Sequence, residues 1–314
     1  RRANAVLLML VRNSELDSAL SSVTQLEERF NKRFGYPWVF LNEVAFSDEF
    51  KEKMSSAISG PVSFGLIPKE HWYQPDWIDE EKAAASRAKM AADNVVYGGS
   101  LSYRNMCRFN SGFFYRHPLV QSYKWYWRVE PGVSFFCDTD YDPFLFMEEN
   151  DKVYGFTISL YEWPQTVATL WDAVKEFAHK HTQYLNPDNA LAFLSDDEGN
   201  TYNMCHFWSN FEIASMDFWR GEAYSKFFEH LESKGGFYYE RWGDAPVHSI
   251  GAALFARKDQ IHFFEDIGYQ HPPFKHCPRL PSMRKAKNCS CSNVGNFDYN
   301  PYSCLNLWRQ VELS

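Results

Sequence analysis

Ala3 to Val11 is a continuous apolar run of strand length, the pattern of a strand buried on both faces. Arg12-Asn13 ends it. Ser14 predicts a helix start, with Asp17 three residues on as its capping partner, and Gly35 predicts the helix end. Leu16, Leu20, Val23 and Phe30 recur on one face between them. Trp38 to Leu41 reads as a second strand. Ser47 to Ile58 reads as a helix, with Phe50, Met54 and Ile58 four apart, and Pro61 to Ile67 as a third strand. This alternation opens a doubly wound α/β domain, in which ligands bind beyond the C-terminal strand ends. Arg12 then stands at the height of a nucleotide phosphate, although position alone fits a solvated arginine equally well. No glycine-rich fingerprint follows the first strand, which disfavours a dinucleotide fold and a P-loop.

Asp79 to Asp93 reads as a polar helix, and Leu101 to Tyr115 as a pocket-lining helix that mixes Tyr103, Arg104 and Arg108 with apolar residues. Tyr123 to Val129 alternates like a strand. It runs into Glu130-Pro131-Gly132, where proline ends the ladder and leaves a carboxylate at the strand exit. Val153 to Tyr161 predicts a strand and Thr169 to His181 a helix. The rest is aromatic-rich and less regular. No repeat or linker divides the chain, so the expectation is one domain over 1–314, with roughly 1–130 as a nucleotide-binding part and 131–314 as an acceptor and catalytic part.

A net charge of −8 argues against nucleic acid as the main partner but leaves a local anion site open. The 27 Phe, 18 Tyr and 11 Trp fit a core built from large rings first, and a carbohydrate site second. Of seven cysteines, Cys277, Cys289, Cys291 and Cys304 fall in a basic, loop-like tail. Their spacing suits disulfides better than zinc and points to an oxidising, secretory compartment. The expectation is that these four pair among themselves. No apolar run is long enough to span a bilayer.

The candidate chemistry centres on Thr201 to Ile213, T-Y-N-M-C-H-F-W-S-N-F-E-I, where Glu212 lies between Phe211 and Ile213. A carboxylate so flanked is paired or functional. Hard oxygen donors for a divalent cation occur at Glu130 and in the D-x-D triplet Asp138-Thr139-Asp140, with more weight on Glu130 at its strand exit. His271 sits beside two prolines in G-Y-Q-H-P-P-F, and Asp244 follows Arg241-Trp242-Gly243. No G-x-S-x-G elbow occurs. A glycosidase using Glu212 and Asp244, and a mannose-binding lectin without catalysis, stay open as alternatives to a transferase.

The chain resembles the fungal α-1,2-mannosyltransferases of the KRE/KTR family. The resemblance rests on Y-P-W-V-F-L-N at 36–42, F-G-L-I-P-K-E-H-W at 64–72, Y-G-G-S at 97–100, C-R-F-N-S-G-F-F at 107–114, Y-N-M-C-H-F-W-S-N-F-E-I at 202–213 and E-R-W-G-D-A-P-V-H-S-I-G-A-A-L-F at 240–255. It implies a GT-A-like (Rossmann-like) fold, a GDP-mannose donor, Mn2+, and retention of anomeric configuration. It also implies a Golgi type II membrane protein, anchored by a segment outside this chain, that acts on a mannosylated glycoprotein or oligosaccharide. By motif, Glu130 and His271 would serve the metal, and Arg12, Tyr103 and Arg108 the donor. Glu212 would stand at the anomeric centre and Asp244 near a sugar. Gly132 departs from a Glu-Pro-Asp pattern and removes a second carboxylate from that exit.

Overall fold

A computed structural model describes all residues, 1–314. Its strands are β1 (Ala5–Leu10), β2 (Trp38–Asn42), β3 (Val62–Leu66), β4 (Trp125–Arg128), β5 (Ser134–Phe135), β6 (Tyr154–Phe156), β7 (Ser159–Tyr161), β8 (Cys205–Phe207), β9 (Glu212–Ser215), β10 (Ile261–Phe263), β11 (Tyr269–His271) and β12 (Phe274–His276). Seven of them form one sheet in the order β10-β6-β9-β4-β1-β2-β3. All its neighbours are parallel except β9, which runs antiparallel to both β4 and β6.

The apolar runs form a central parallel sheet because both faces are covered. Ala5, Leu7 and Met9 pack into one core cluster and Val6 and Leu8 into the other. Trp38 and Phe40 divide from Val39 and Leu41 in the same way, as do Trp125 and Trp127 from Tyr126. That is the period-two alternation of a strand buried on both sides. Most of the aromatic surplus therefore belongs to the core.

The expected helices form with small shifts at their ends. Ser47 caps the helix Asp48–Ala57 by accepting from the Phe50 amide, and Asp79 caps Glu80–Ala92. After β1 the chain makes a short 3-10 turn over Asn13–Glu15 before the helix Leu16–Leu26. The capping partner there is Glu15, which accepts from the Arg12 amide at 2.8 Å, rather than Asp17. Gly35 ends the following helical segment at φ +63°, a left-handed conformation that glycine adopts without a Cβ penalty. The single strand expected over Val153–Tyr161 is two, β6 in the main sheet and β7 paired with β8.

The disulfides correct the expected pairing. Only Cys277–Cys291 joins two of the four tail cysteines. Cys289 bonds Cys137 after β5, and Cys304 bonds Cys205 on β8. The tail is folded back across the small sheets, so spatial neighbours rather than sequence neighbours pair. Cys107 is the buried free thiol. No helix is long and apolar enough to cross a membrane.

Candidate functional site

A cavity of about 670 Å³ opens at the C-terminal ends of β1, β2 and β4. Its rim carries Arg12 and Asn42 from the β1 and β2 exits, Tyr103 from the helix Leu101–Gly112, and Arg128 and Glu130 from the β4 exit. The other side is closed by Trp208, Asp244 and His271. This is where an open α/β sheet places its ligand.

Arg128 is the hub. Its Nη1 donates to Asp244 Oδ2 at 2.6 Å and its Nη2 to Glu130 Oε1 at 2.7 Å. Burial opposes its charge, but the Asp244 and Glu130 carboxylates outweigh that and hold the guanidinium protonated. Burial likewise pushes the Glu130 carboxyl up. The Arg128 charge and the His271 hydrogen bond win, holding it at about 2. Arg128 was not singled out in the sequence, although an arginine inside the aromatic run Y-K-W-Y-W-R-V, two residues before Glu130, was the available signal.

Glu130 and His271, the expected metal pair, are brought together with Nε2 and Oε2 3.4 Å apart. His271 Nδ1 donates to the Pro272 carbonyl at 3.1 Å, which turns Nε2 toward Glu130, and the Trp208 ring packs edge-on at 4.8 Å. Burial lowers the His271 pKa, but the hydrogen bond and charge of Glu130 outweigh it, so the net shift is upward. A carboxylate and an imidazole thus face each other in a place where a cation bound by one of each fits. No three His, Cys, Asp or Glu side chains converge closely enough to hold a metal ion by themselves. A cation here would therefore draw its remaining ligands from substrate oxygens or water.

The D-x-D alternative lies elsewhere. Asp138 pairs with Arg29 at 3.0 Å, Asp140 with Lys287 at 2.6 Å, and neither borders the cavity. Gly132 is exposed at φ +82° and is not part of the lining, so a side chain there would meet open space.

Arg12 borders the cavity and hydrogen-bonds Ser102. Tyr103 stacks on Tyr97, with centroids 4.3 Å apart, and lies under the Arg241 guanidinium at 4.9 Å. Burial pushes its phenol well up, so it is a neutral hydroxyl. Arg108 is not brought to the cavity. It is buried against Glu232 at 2.8 Å and reaches the Tyr73 carbonyl. Asp244 opens the helix Asp244–Phe255 and also accepts from Ser209 at 2.8 Å. Both of its bonds fall on Oδ2, which leaves Oδ1 available.

Glu212 is fully buried beneath this floor. It pairs with Arg128 in the β4–β9 register but borders only a small adjacent void, whose walls share Leu10 and Arg128 with the main cavity. Tyr126 donates to its Oε1 at 2.9 Å and Tyr154 to its Oε2 at 2.7 Å, where His248 Nδ1 also lies at 2.7 Å. His248 Nε2 meets the Asn110 carbonyl at 2.9 Å. The awkward carboxylate of the sequence is thus fully partnered.

The sequence profile described as glycolipid 2-alpha-mannosyltransferase matches residues 1–313. The chain is 56% identical over 303 residues to glycolipid 2-alpha-mannosyltransferase 1 of Candida albicans, covering 96% of this chain and 70% of that protein. It is 54% identical over 310 residues to alpha-1,2 mannosyltransferase KTR1 of Saccharomyces cerevisiae, covering 99% and 79%. Among solved structures, the mannosyltransferase Ktr4p from S. cerevisiae in complex with GDP matches with a TM-score of 0.95 at 46% identity, covering 99% of this chain and 82% of that one. The Mn/GDP form of core-mannan synthase A (CmsA/Ktr4) from Aspergillus fumigatus matches with a TM-score of 0.92 at 45% identity, covering 98% and 85%.

Proposed function

This chain belongs to the glycolipid 2-alpha-mannosyltransferase family, and on that premise we propose that it transfers mannose from GDP-mannose to a mannoside hydroxyl with the α configuration retained. Its fold is GT-A-like. The observation that carries the reading is the Arg128 hub, which gathers Glu130, His271 and Asp244 at one cavity beyond the parallel strand ends.

In this reading residues 1–130 form the nucleotide-binding part and 131–314 the acceptor and catalytic part. Arg12 and the Tyr103 hydroxyl contact the donor diphosphate. Glu130 and His271 would hold manganese, whose charge neutralises the diphosphate leaving group when bound. Arg128 keeps Glu130 ionised and in place. Asp244 accepts a hydrogen bond from a sugar hydroxyl through its free Oδ1 and fixes that ring's orientation. The bond from mannose C1 to the diphosphate oxygen breaks, and the acceptor oxygen bonds C1 on the same face.

Retention allows two routes: a glycosyl-enzyme on Glu212, or attack by the acceptor itself on the leaving-group face. The commitment of both Glu212 oxygens to Tyr126, Tyr154 and His248 supports the second. There Glu212 stabilises positive charge from below, and the acceptor proton passes to the departing phosphate oxygen. The three disulfides suit an oxidising lumen, and we assign the protein to the Golgi lumen on that ground and its family. The acceptor is a mannosylated glycoprotein or oligosaccharide.

The test is GDP release on mixing with GDP-mannose, Mn2+ and methyl α-mannoside, with the product anomer read by NMR. Release with an α-linked product is expected. Hydrolysis of a mannoside without nucleotide would point to a glycosidase, and mannoside binding without GDP release to a lectin.

A further inference from the structure

Exposed aromatic rings that the transfer step does not use stand at the edge of the cavity and beside it. Tyr161 and Trp163 border the cavity and are 42% and 47% exposed. Glu162 between them is turned inward, its side chain 10% exposed, as alternation along an extended chain requires. Tyr302, 71% exposed, is tied next to Tyr161 through the backbone, its carbonyl accepting from the Tyr161 amide at 3.3 Å. The platform is braced: Tyr161 pairs with Cys205 across β7 and β8, and Cys205 is bonded to Cys304. The Cys304 amide in turn donates to the Ser159 carbonyl at 3.1 Å.

The second observation lies deeper in the cavity. Arg241 Nε and His206 Nδ1 are buried and have no hydrogen-bond partner in the protein. Both side chains border the cavity. Such groups are rare in folded proteins unless a ligand or water meets them.

We propose that Tyr161, Trp163 and Tyr302 form an extended acceptor subsite, which binds the sugar next to the accepting mannose and the one beyond it. This rests on the mannosyl-transfer reading above. A pyranose has an apolar C–H face whose positive hydrogens suit the negative face of an aromatic ring. The accepting mannose has hydroxyls that satisfy Arg241 and His206. An acyl chain would match the rings but leave those polar groups unmet, so an oligomannoside is the occupant that fits both.

The test compares methyl α-mannoside with α-1,2-mannobiose as acceptors, with GDP-mannose and Mn2+. Trp163→Ala is expected to lower the mannobiose-to-monosaccharide ratio of kcat/KM about tenfold, through KM, and Trp163→Phe to restore most of it. With mannotriose, Tyr302→Ala is expected to lower the corresponding ratio about threefold. An unchanged ratio, or an equal fall with both acceptors, overturns the subsite. If the unmodified protein transfers mannose to neither acceptor, it is the transfer reading that fails. The subsite is then judged alone, by calorimetric titration of mannobiose without donor. Binding weakened by Trp163→Ala upholds it; binding that is absent, or indifferent to the change, overturns it.

Discussion

Arg128 and Asp244 are joined by a 2.6 Å ion pair that ties the β4 exit to the first turn of the helix Asp244–Phe255. The same guanidinium holds Glu130 at 2.7 Å, so one side chain positions two carboxylates at the cavity, one from each side. Removing it leaves two acids without their cation. Arg128→Ala is expected to cost about 3–5 kcal/mol of stability, as breaking a buried ion pair does, and to abolish transfer. Denaturant unfolding checks the first and GDP release the second. A loss under about 1 kcal/mol would mean the hub is not needed for the fold.

Asp244→Asn keeps the shape and the Ser209 contact but lowers the charge facing the sugar. Its expected effect is a fall in kcat of about a hundredfold or more with a small change in melting temperature. Steady-state kinetics beside a thermal melt separate the two, and turnover near the unmodified rate would remove Asp244 from the sugar site.

His271→Ala removes the imidazole 3.4 Å from Glu130. The manganese concentration for half-maximal activity is expected to rise about tenfold or more. An unchanged requirement would place the metal away from this pair. Activity titrated against Mn2+ decides.

Glu212→Gln replaces an acceptor held by Tyr126, Tyr154 and His248 with an amide that offers one oxygen. A stability loss of about 1–3 kcal/mol is expected from the donors left unmet, with kcat lower by about a hundredfold. Normal turnover would remove Glu212 from both retaining routes. A mannosyl adduct on Glu212, sought by mass spectrometry of the intact protein after a quench, would favour direct attack over charge stabilisation.

His276 is buried between Asp298, 2.8 Å from Nδ1, and the Glu265 carbonyl, 2.9 Å from Nε2. Burial pushes its pKa down, but the Asp298 charge and hydrogen bond outweigh that and raise it. A raised histidine contributes stability that is fully present below its unfolded value of about 6.5 and lost as pH rises through the folded value. The melting-temperature gap between the unmodified protein and His276→Gln is therefore expected to be wider at pH 5.5 than at pH 9. A gap that widens with pH would contradict the ion pair.

The strands were legible wherever local pattern suffices. Ala5–Leu10 and Val62–Leu66 lie within the runs that predict them, and Trp38–Asn42 extends its run by one residue. The first two strands are apolar almost throughout because both faces are buried, whereas β3 is a half-buried edge. The β4 exit at Glu130 was legible for a similar reason, since Pro131 ends the ladder. Arg108 was misleading because a helix has several faces. Residues in the same helix reach the cavity through Tyr103 and Met106, while Arg108 turns to Glu232.

The sequence by itself determined the parallel strands β1 to β4 of the central sheet, the family, and the presence of a carboxylate and a histidine suited to a hard cation. Tertiary structure alone decided which charges meet. Arg128 becomes the hub only because β9 and the helix at Asp244 close against β4, and Glu212 lies beneath the floor rather than on it because Tyr126, Tyr154 and His248 converge on its oxygens. The cysteines divided the same way. Their abundance in the tail announces cross-links, but Cys137 and Cys205 become partners only through the way the tail packs. Strand pattern is a local property of the chain, whereas ion pairs and disulfides depend on distances that exist only once remote segments are brought together.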